Sequence, residues 1–463
     1  MNRVVGLETE YGCLVTGDPL HGPDSWPVRV KNHLFKEARA GVPDLHYRDY
    51  EEPPGNGGFL LNGGRLYIDM GHLEYASPEA RTVRDAVACE IAGDRLVLSA
   101  VQALGAGDEV SFIKNNIDHH TGATFGCHEN YLMKRELQFD ARLLGTLLSF
   151  LATRQLFTGA GRVGQARPLA FDIEPDNHPG AVPFQLSQRA DHIVNDIYQW
   201  VQFNRAIINA RDEPLADDRK YRRLHLLIGD SNMSPFANAL KIGTTALILT
   251  LLEEGEVPSN VILQDAVIAT RQISHEGTGR AVVVLADGRT RAALDIQREF
   301  QAHAQHALRG RDEETDWILE NWAFTLDALC TRPEQLLGGV DWISKKWLLE
   351  TFRESEGLGW QDPWLQSLDL EYHNIDPARG LFHALPAAQA IAAFNTSAAR
   401  PDATRTPPAD TRAHGRGLAV ALLQERQLPY LINWDSIAIE TTQQLLMPDP
   451  FATYAAEVRD FVG

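Results

Sequence analysis

The stretch Asn62–Glu79, NGGRLYIDMGHLEYASPE, concentrates groups that bind anions, bind cations or move protons. Arg65, Tyr67 and Asp69 alternate with Leu66 and Ile68, a period of two that predicts a strand with one apolar and one polar face. Same-face side chains on a strand stand roughly 7 Å apart, so a cation, a phenol and a carboxylate line one short track. His72, Glu74 and Tyr75 follow at once. A second pair of acids, Glu8 and Glu10, shares a face of a strand predicted over residues 2–15. Two carboxylates on one strand face repel, and no basic residue stands between them. A divalent cation removes that conflict, and hard oxygen ligands suit magnesium. Taken alone, each stretch also reads as the solvated polar face of an edge strand.

The elements around them follow from pattern and punctuation. Asn62-Gly63-Gly64 is a turn signal ahead of Arg65. Residues 16–60 are rich in proline and glycine and hold one short amphipathic helix over Val30–Ala40. So long a loop reads as a lid. A helix is predicted from about Thr82 to Leu104. Glu109–Asn115 and Cys127–Met133 read as strands joined by the turn-rich NIDHHTGATFG. In the second of them His128 and Asn130 alternate with Glu129. His119, His120 and His128 invite a zinc reading, but they lack conventional ligand spacing, and loop histidines are usually solvated. An apolar helix spans 141–158, and Asp172–Pro183 is a surface connection. Lys220, Arg222 and Arg223 form the most basic short run, either a solvated face or an anion site for phosphate or carboxylate. From Phe236 to about Ile375 the pattern is mainly helical, with helices over Leu240–Leu252, Leu294–Arg309, Trp317–Cys330 and Asp341–Phe352. Residues 391–416 read as a linker or exposed loop. Strands at Leu431–Trp434 and Ser436–Ile439 belong to a small tail domain.

Composition narrows the function classes. The chain has 463 residues, 44% hydrophobic and 23% charged, which is enough for one large core and a smaller domain. Its net charge of −19 disfavours nucleic acid and anionic membranes as partners. The four cysteines are far apart and form no CxxC pair, which fits a reducing compartment. The amino terminus lacks the apolar core of a signal peptide, and no uninterrupted apolar run reaches membrane-spanning length. A cytoplasmic protein is expected.

GLETEYG, NGGRLYID, HLEYASPE, KNNID, GCHENYL, SQRADHI, RDEP, KYRRLHLLIGDSNMS, LKIGTTALIL, ALDIQREF, DWISKK, LDLEYHNI and INWDSI occur in that order. Together they resemble the family of Pup ligases and Pup deamidase/depupylases, from Gly6 to about Phe451; Pup is the prokaryotic ubiquitin-like protein. The resemblance implies an α+β, glutamine-synthetase-like fold: a curved, mostly antiparallel sheet forming a cradle packed by helices. It implies a catalytic domain over 1–390, the linker at 391–416, and a small C-terminal domain over 417–463 beside the nucleotide site. ATP and Mg2+ would lie in the cradle. By position, Glu8, Tyr67 and Glu74 match magnesium ligands, and Arg65, Ser77 and Trp434 match ATP contacts. Asp69 matches the catalytic carboxylate. Glu10, His128 and Arg222 are further candidates for the site lining.

The implied chemistry suits these side chains. A carboxylate is a poor acyl donor and an acyl phosphate a good one. Phosphoryl transfer between anions needs divalent metal and cations to spread charge. A lysine nucleophile, with a reference pKa of about 10.4, needs a base, the role Asp69 would fill. In a hydrolase Asp69 would instead activate water or attack the carbonyl. The short Cys13–Leu61 interval and NHLFKEA resemble the ligases. The five-residue step from Asp69 to Glu74, with RDAV and GAGRVG, resembles the deamidases. The expected activity is ligation of a Pup-like modifier's C-terminal glutamate to a target lysine. The alternatives are Pup deamidation or depupylation, membership of a divergent third group acting on a different ubiquitin-like tail, a small-molecule carboxylate–amine ligase, and a non-catalytic nucleotide-binding scaffold.

Overall fold

The structure is a computed structural model that describes residues 3–17, 21–48, 50, 52–119, 122–164, 182–199, 205–385, 402–426, 428–439 and 443–463. The strands are β1 (Val5–Val15), β2 (Gly41–Pro43), β3 (Gly57–Leu60), β4 (Arg65–Asp69), β5 (His72–Ala76), β6 (Val110–Ile113) and β7 (Cys127–Lys134). A short ladder pairs β8 (Arg162–Val163) with β9 (Phe184–Gln185); β10 (Asn195–Tyr198), β11 (Ala206–Asn209) and β12 (Tyr221–Leu226) follow. Ten of these strands form one sheet in the order β10-β11-β12-β7-β1-β5-β4-β3-β2, with β6 on the far half of β1. All its ladders are antiparallel except β10 with β11. The expected α+β architecture, a mostly antiparallel sheet packed by helices, is the one found.

One face of the sheet is apolar. Leu7, Tyr131, Leu224 and Leu226 pack on α2 (Val83–Ala103), α3 (Ala141–Thr153) and α5 (Pro235–Glu254) in the main core. Ser234 caps α5 by accepting from Ala237 N, and Gly255 closes it in the left-handed conformation. α5 is long and apolar enough to cross a membrane, but it is buried within the fold as a core helix. Tyr11, Leu66, Leu73 and Tyr75 pack under α1 (Trp26–Lys36) and α2.

Expectation and structure differ in several elements. The interval 16–60 is not one long lid: it supplies α1, β2 and β3, whose Val30, Leu34, Val42, Phe59 and Leu60 are core residues. The helix in it begins at Trp26 because Pro27 suits a first helical turn, and it ends ahead of Arg39, whose φ is 49°. The helix expected over 141–158 breaks at Arg154 into α3 and α4 (Gln155–Thr158), and the Arg154 side chain reaches into the sheet. The connection read at 172–183 lies almost wholly outside the described residues, as does His120.

Helices α6 (Ala266–Glu276), α7 (Ala293–Leu308), α8 (Glu313–Thr331), α9 (Asp341–Glu356) and α10 (Pro363–Tyr372) complete the helical side. At the carboxyl end, α11 (Ala413–Arg426), β15 (Tyr430–Ile432), β16 (Ser436–Ile439), β17 (Gln443–Leu446) and α12 (Ala455–Val462) pack on β2 and β3, beyond the β13 (Val282–Val284) and β14 (Thr290–Ala292) hairpin. Of the stretch read as linker, residues 391–401 lie outside the described set. The rest is not an exposed loop at its end: Thr411, Arg412 and Arg416 are buried, because Glu79 binds both guanidiniums.

Candidate active site

Strand register assembles the polar face. β4 and β5 are joined through Met70 and Gly71, whose φ values of 45° and 94° mark the two-residue turn that matches strand twist. That turn sets Asp69 opposite His72, Tyr67 opposite Glu74 and Arg65 opposite Ala76. Across the next ladder Glu10 faces Glu74, and Glu8 faces Ala76. On the other side of β1, Glu8 faces His128 and Gly6 faces Asn130; β12 then sets His225 opposite Asn130. Directly opposed residues share a face, so all these groups line one concave surface.

Two clusters form there. Carboxylate oxygens of Glu10, Asp69 and Glu74 lie within 4.8 Å of one another. Glu74 is buried, and burial together with Glu10, Glu8 and Asp69 raises its pKa well above the usual carboxylate range. A divalent ion would offset that repulsion, and the oxygen-only donors fit magnesium. Tyr67 donates to Glu74; burial and the charges of Glu74 and Glu8 keep its phenol protonated.

The second cluster joins Glu8, His128 and His225, with ligand atoms also within 4.8 Å. His128 Nδ1 lies 3.0 Å from Glu8 Oε2, and Asn130 Nδ2 donates to Glu8 Oε1 at 3.0 Å. Burial alone would raise the Glu8 pKa, but the imidazoles of His128 and His225 outweigh it and hold the group well below the carboxylate range. Burial lowers the His225 pKa, and its Nε2 stands 3.5 Å from Glu8 Oε2. His225 was not singled out from the sequence, although its spacing of two from Arg223 put both on one strand face. His119, expected in solvent, is half-buried, with its ring 3.0 Å from Asp369.

Beside the clusters lies a cleft lined by Gly6, Glu8, Ser77, Asn130, Arg223, Arg412 and Trp434. Ser77 and Trp434 thus meet in one place from opposite ends of the chain. Ser77 Oγ also accepts from Leu7 N at 2.9 Å, which fixes the exit of β5. Arg65 is held differently. Its guanidinium pairs with Asp44 Oδ2 at 2.9 Å and with Glu52, and covers the Tyr67 ring at 4.4 Å. Arg222 does not line the surface. It is paired in register with Met133, on the helix-packed face, and lies over Phe139 at 5.8 Å; Arg223 takes the cradle side because strand parity alternates.

Gly126 is the floor under these acids. A Cβ there would stand 2.4 Å from Glu10 Oε1 and 2.7 Å from His128 Nε2. Both are flexible side-chain ends, so Gly126→Ala should stay folded, with an unchanged melting temperature, yet lower activity by displacing Glu10 and His128. Parent-like turnover would show that their placement is unimportant.

The sequence profile of the family described as Pup-ligase protein matches residues 3–438. The Pup–protein ligase of Kocuria rhizophila is 38% identical over 480 residues, covering 99% of this chain and 98% of the relative. A depupylase of Acidothermus cellulolyticus is 37% identical over 474 residues, covering 95% and 91%. Among solved structures, the complex between Pup and its ligase PafA matches with a TM-score of 0.83 and 32% identity, over 100% of this chain and 91% of that one. PafA in complex with ADP matches with a TM-score of 0.77 and 33% identity, over 97% and 94%. The chain belongs to the Pup-ligase family of enzymes.

Proposed function

We propose that the protein is an ATP- and Mg2+-dependent ligase that joins the C-terminal glutamate of a Pup-like modifier to lysines of target proteins, in the cytoplasm. The observation that carries this is the cluster of Glu10, Asp69 and Glu74, with Glu8 close enough to act on Glu74 from the neighbouring cluster, beside the cleft lined by Ser77 and Trp434, in a chain so similar to a ligase solved with Pup and with ADP.

In this reading Glu8, from the cluster with the two imidazoles, and Glu74, from the all-carboxylate cluster, would hold magnesium together with the Tyr67 oxygen, and the ion when bound would spread the charge of the transferring phosphoryl group. Ser77 and Trp434 hold the nucleotide. Arg65 serves the phosphates after exchanging Glu52 for them. The terminal phosphoryl of ATP passes to the glutamate side-chain carboxylate of the modifier. The P–O bond to ADP breaks and an acyl phosphate forms. Asp69 orients the lysine ammonium and takes its proton. The amine then attacks the acyl carbon, the C–O bond to phosphate breaks, and the isopeptide bond forms. His128 and Asn130 fix the Glu8 carboxylate, and Arg223 lends positive charge to the cleft. The catalytic domain over 1–390 supplies the sheet, and the C-terminal domain over 417–463 lends Trp434.

The decisive experiment mixes the full chain with ATP, Mg2+, a lysine-bearing protein and Pup ending in either Glu or Gln. A conjugate formed with one ADP released per bond, from the Glu form, is the expected result. Similarity to the depupylase favours a second reading. Ammonia release from the Gln form, or cleavage of a conjugate without net ATP consumption, would establish that one instead. Turnover driven equally well by free glutamate and a small amine would remove the protein modifier.

Metal binding offers a separate check. Glu8→Ala and Glu74→Ala should each weaken Mg2+-dependent nucleotide binding by roughly 10–100-fold, the scale of losing a charged contact of about 1.5–3 kcal/mol, read by titration with and without Mg2+. Unchanged affinity in both variants would remove these carboxylates from the metal site.

A further inference from the structure

Glu79 is assigned no part in the chemistry above, yet the cleft and the C-terminal unit are tied together through it. It follows Ser77 and Pro78 at the exit of β5, and its side chain is nearly buried. Its carboxylate is gripped by two guanidiniums from the opposite end of the chain. Arg412 Nε donates to Oε1 at 2.7 Å; Arg416 donates to Oε1 at 3.1 Å and also to Oε2. Arg412 immediately precedes α11 and Arg416 lies in its first turn, so both guanidiniums come from the amino end of that helix. Burial alone would raise the Glu79 pKa, but Arg416 and Arg412 bring it down to about 2.

The arginines carry that anchor to the walls of the cleft. Arg416 donates to the Trp434 carbonyl and the Gly63 carbonyl, each at 2.8 Å, and its guanidinium lies 4.6 Å from the centre of the Trp434 ring. Arg412 itself lines the cleft and donates to the carbonyls of Leu215 and Met447. Apolar packing of Ala419, Val420 and Leu423 on Val42, Phe59 and Leu61 holds the C-terminal unit to the sheet. Such packing is non-directional; forked charge-assisted hydrogen bonds fix orientation. Arg48 and Tyr430 also cross this boundary, at Asn433 (2.6 Å) and the Pro43 carbonyl (2.7 Å), and Phe59 meets the Trp434 ring edge-on at 5.2 Å, but the Trp434 carbonyl is held by Arg416.

We propose that Glu79 is a positioning residue for the nucleotide site: through Arg412 and Arg416 its carboxylate sets where Trp434 stands against the nucleotide. This rests on the reading of Trp434 as a nucleotide contact. Glu79 also borders the cleft, but its carboxylate oxygens are taken by the two guanidiniums and it belongs to neither acid cluster. Its loss therefore acts on ATP affinity and leaves chemistry at saturating ATP largely intact.

The test is a double-mutant cycle in the full-length protein, read as the Kd of a fluorescent ADP analogue and as KM for ATP against kcat. Glu79→Gln keeps the volume and removes the charge. It should weaken nucleotide binding about tenfold, with kcat within about threefold, the size of one charge-assisted hydrogen-bonded contact. In a Trp434→Ala background the same change should cost less than about twofold, because coupled residues are non-additive. Arg416→Lys, which keeps charge but loses the fork, serves for the same cycle if Glu79→Gln does not yield folded protein. Additive losses, or a Glu79→Gln variant with parent-like affinity, would overturn the positioning role alone. Parent-like affinity in Trp434→Ala would take down the reading of Trp434 and this role with it.

Discussion

Asp69→Asn is expected to cut turnover by roughly 10²–10⁴-fold, the usual worth of a positioned general base, while nucleotide affinity stays near that of the parent. Asparagine fills the same volume at the end of β4 and leaves the Met70-Gly71 turn and the register with His72 in place. What it lacks is a basic oxygen. The carboxylate of Asp69 stands within 4.8 Å of those of Glu10 and Glu74, so the lost charge also eases the repulsion that raises the Glu74 pKa. The variant should therefore hold nucleotide at least as well as the parent. Single-turnover conjugation and equilibrium nucleotide titration, run on the same preparation, separate the two effects. Undiminished turnover would take Asp69 out of the mechanism. A loss confined to nucleotide affinity would make it a ligand rather than a base.

The largest expected change in stability is at the opposite face of the same sheet. Arg154→Met should cost about 3–5 kcal/mol, because it strands a buried carboxylate. Glu129 is fully buried on β7, and Arg154, between α3 and α4, is almost as deeply placed. Arg154 Nη1 donates to Glu129 Oε2 at 2.9 Å and to Thr245 Oγ1 at 2.6 Å, and the Tyr131 hydroxyl donates to Glu129 at 2.7 Å. Burial opposes ionisation of Glu129, yet Arg154 outweighs it and holds the pKa below its ordinary value. Removing the guanidinium reverses that balance. Adding Glu129→Gln to Arg154→Met should recover a large part of the loss, since a neutral amide is cheaper to bury than an unpaired charge. Urea midpoints at constant slope measure both. A loss below about 1 kcal/mol for Arg154→Met would place the pair among ion pairs of little net worth.

The two variants lie back to back. Residue parity on β7 sends Glu129 and Tyr131 into the helical core and His128 and Asn130 into the cradle. The ion pair thus holds the strand that carries the Glu8 partners, and a fault on the apolar side loosens the polar one. This is the physical link between core packing and the site.

Legibility in the sequence followed locality. Glu8 with Glu10, and Arg65 with Tyr67 and Asp69, were assigned to shared faces from alternation alone, and the ladders place them so. Helices with clear apolar periodicity were found within a few residues of their observed ends, as at α2 and α7. His225, Arg222 and the end of the 391–416 stretch were missed or misplaced for one reason. In Tyr221–Leu226 consecutive arginines sit on both parities, so only pairing with β7 decides which faces the cradle. Arg412 and Arg416 lie in a stretch of linker-like composition, and nothing local announces Glu79, more than three hundred residues earlier, as their partner.

By itself the sequence determined the polar strand faces, the main core helices and the family, because pleat, helical pitch and ordered motif blocks are properties of contiguous residues. Only the tertiary structure decided that Glu8 sits between two imidazoles, that Arg65 is held by Asp44 and Glu52, and that Trp434 meets Ser77 across one cleft. Those contacts join residues far apart in the chain, and a strand's alternation says nothing of which partner strand, in which register, will face it.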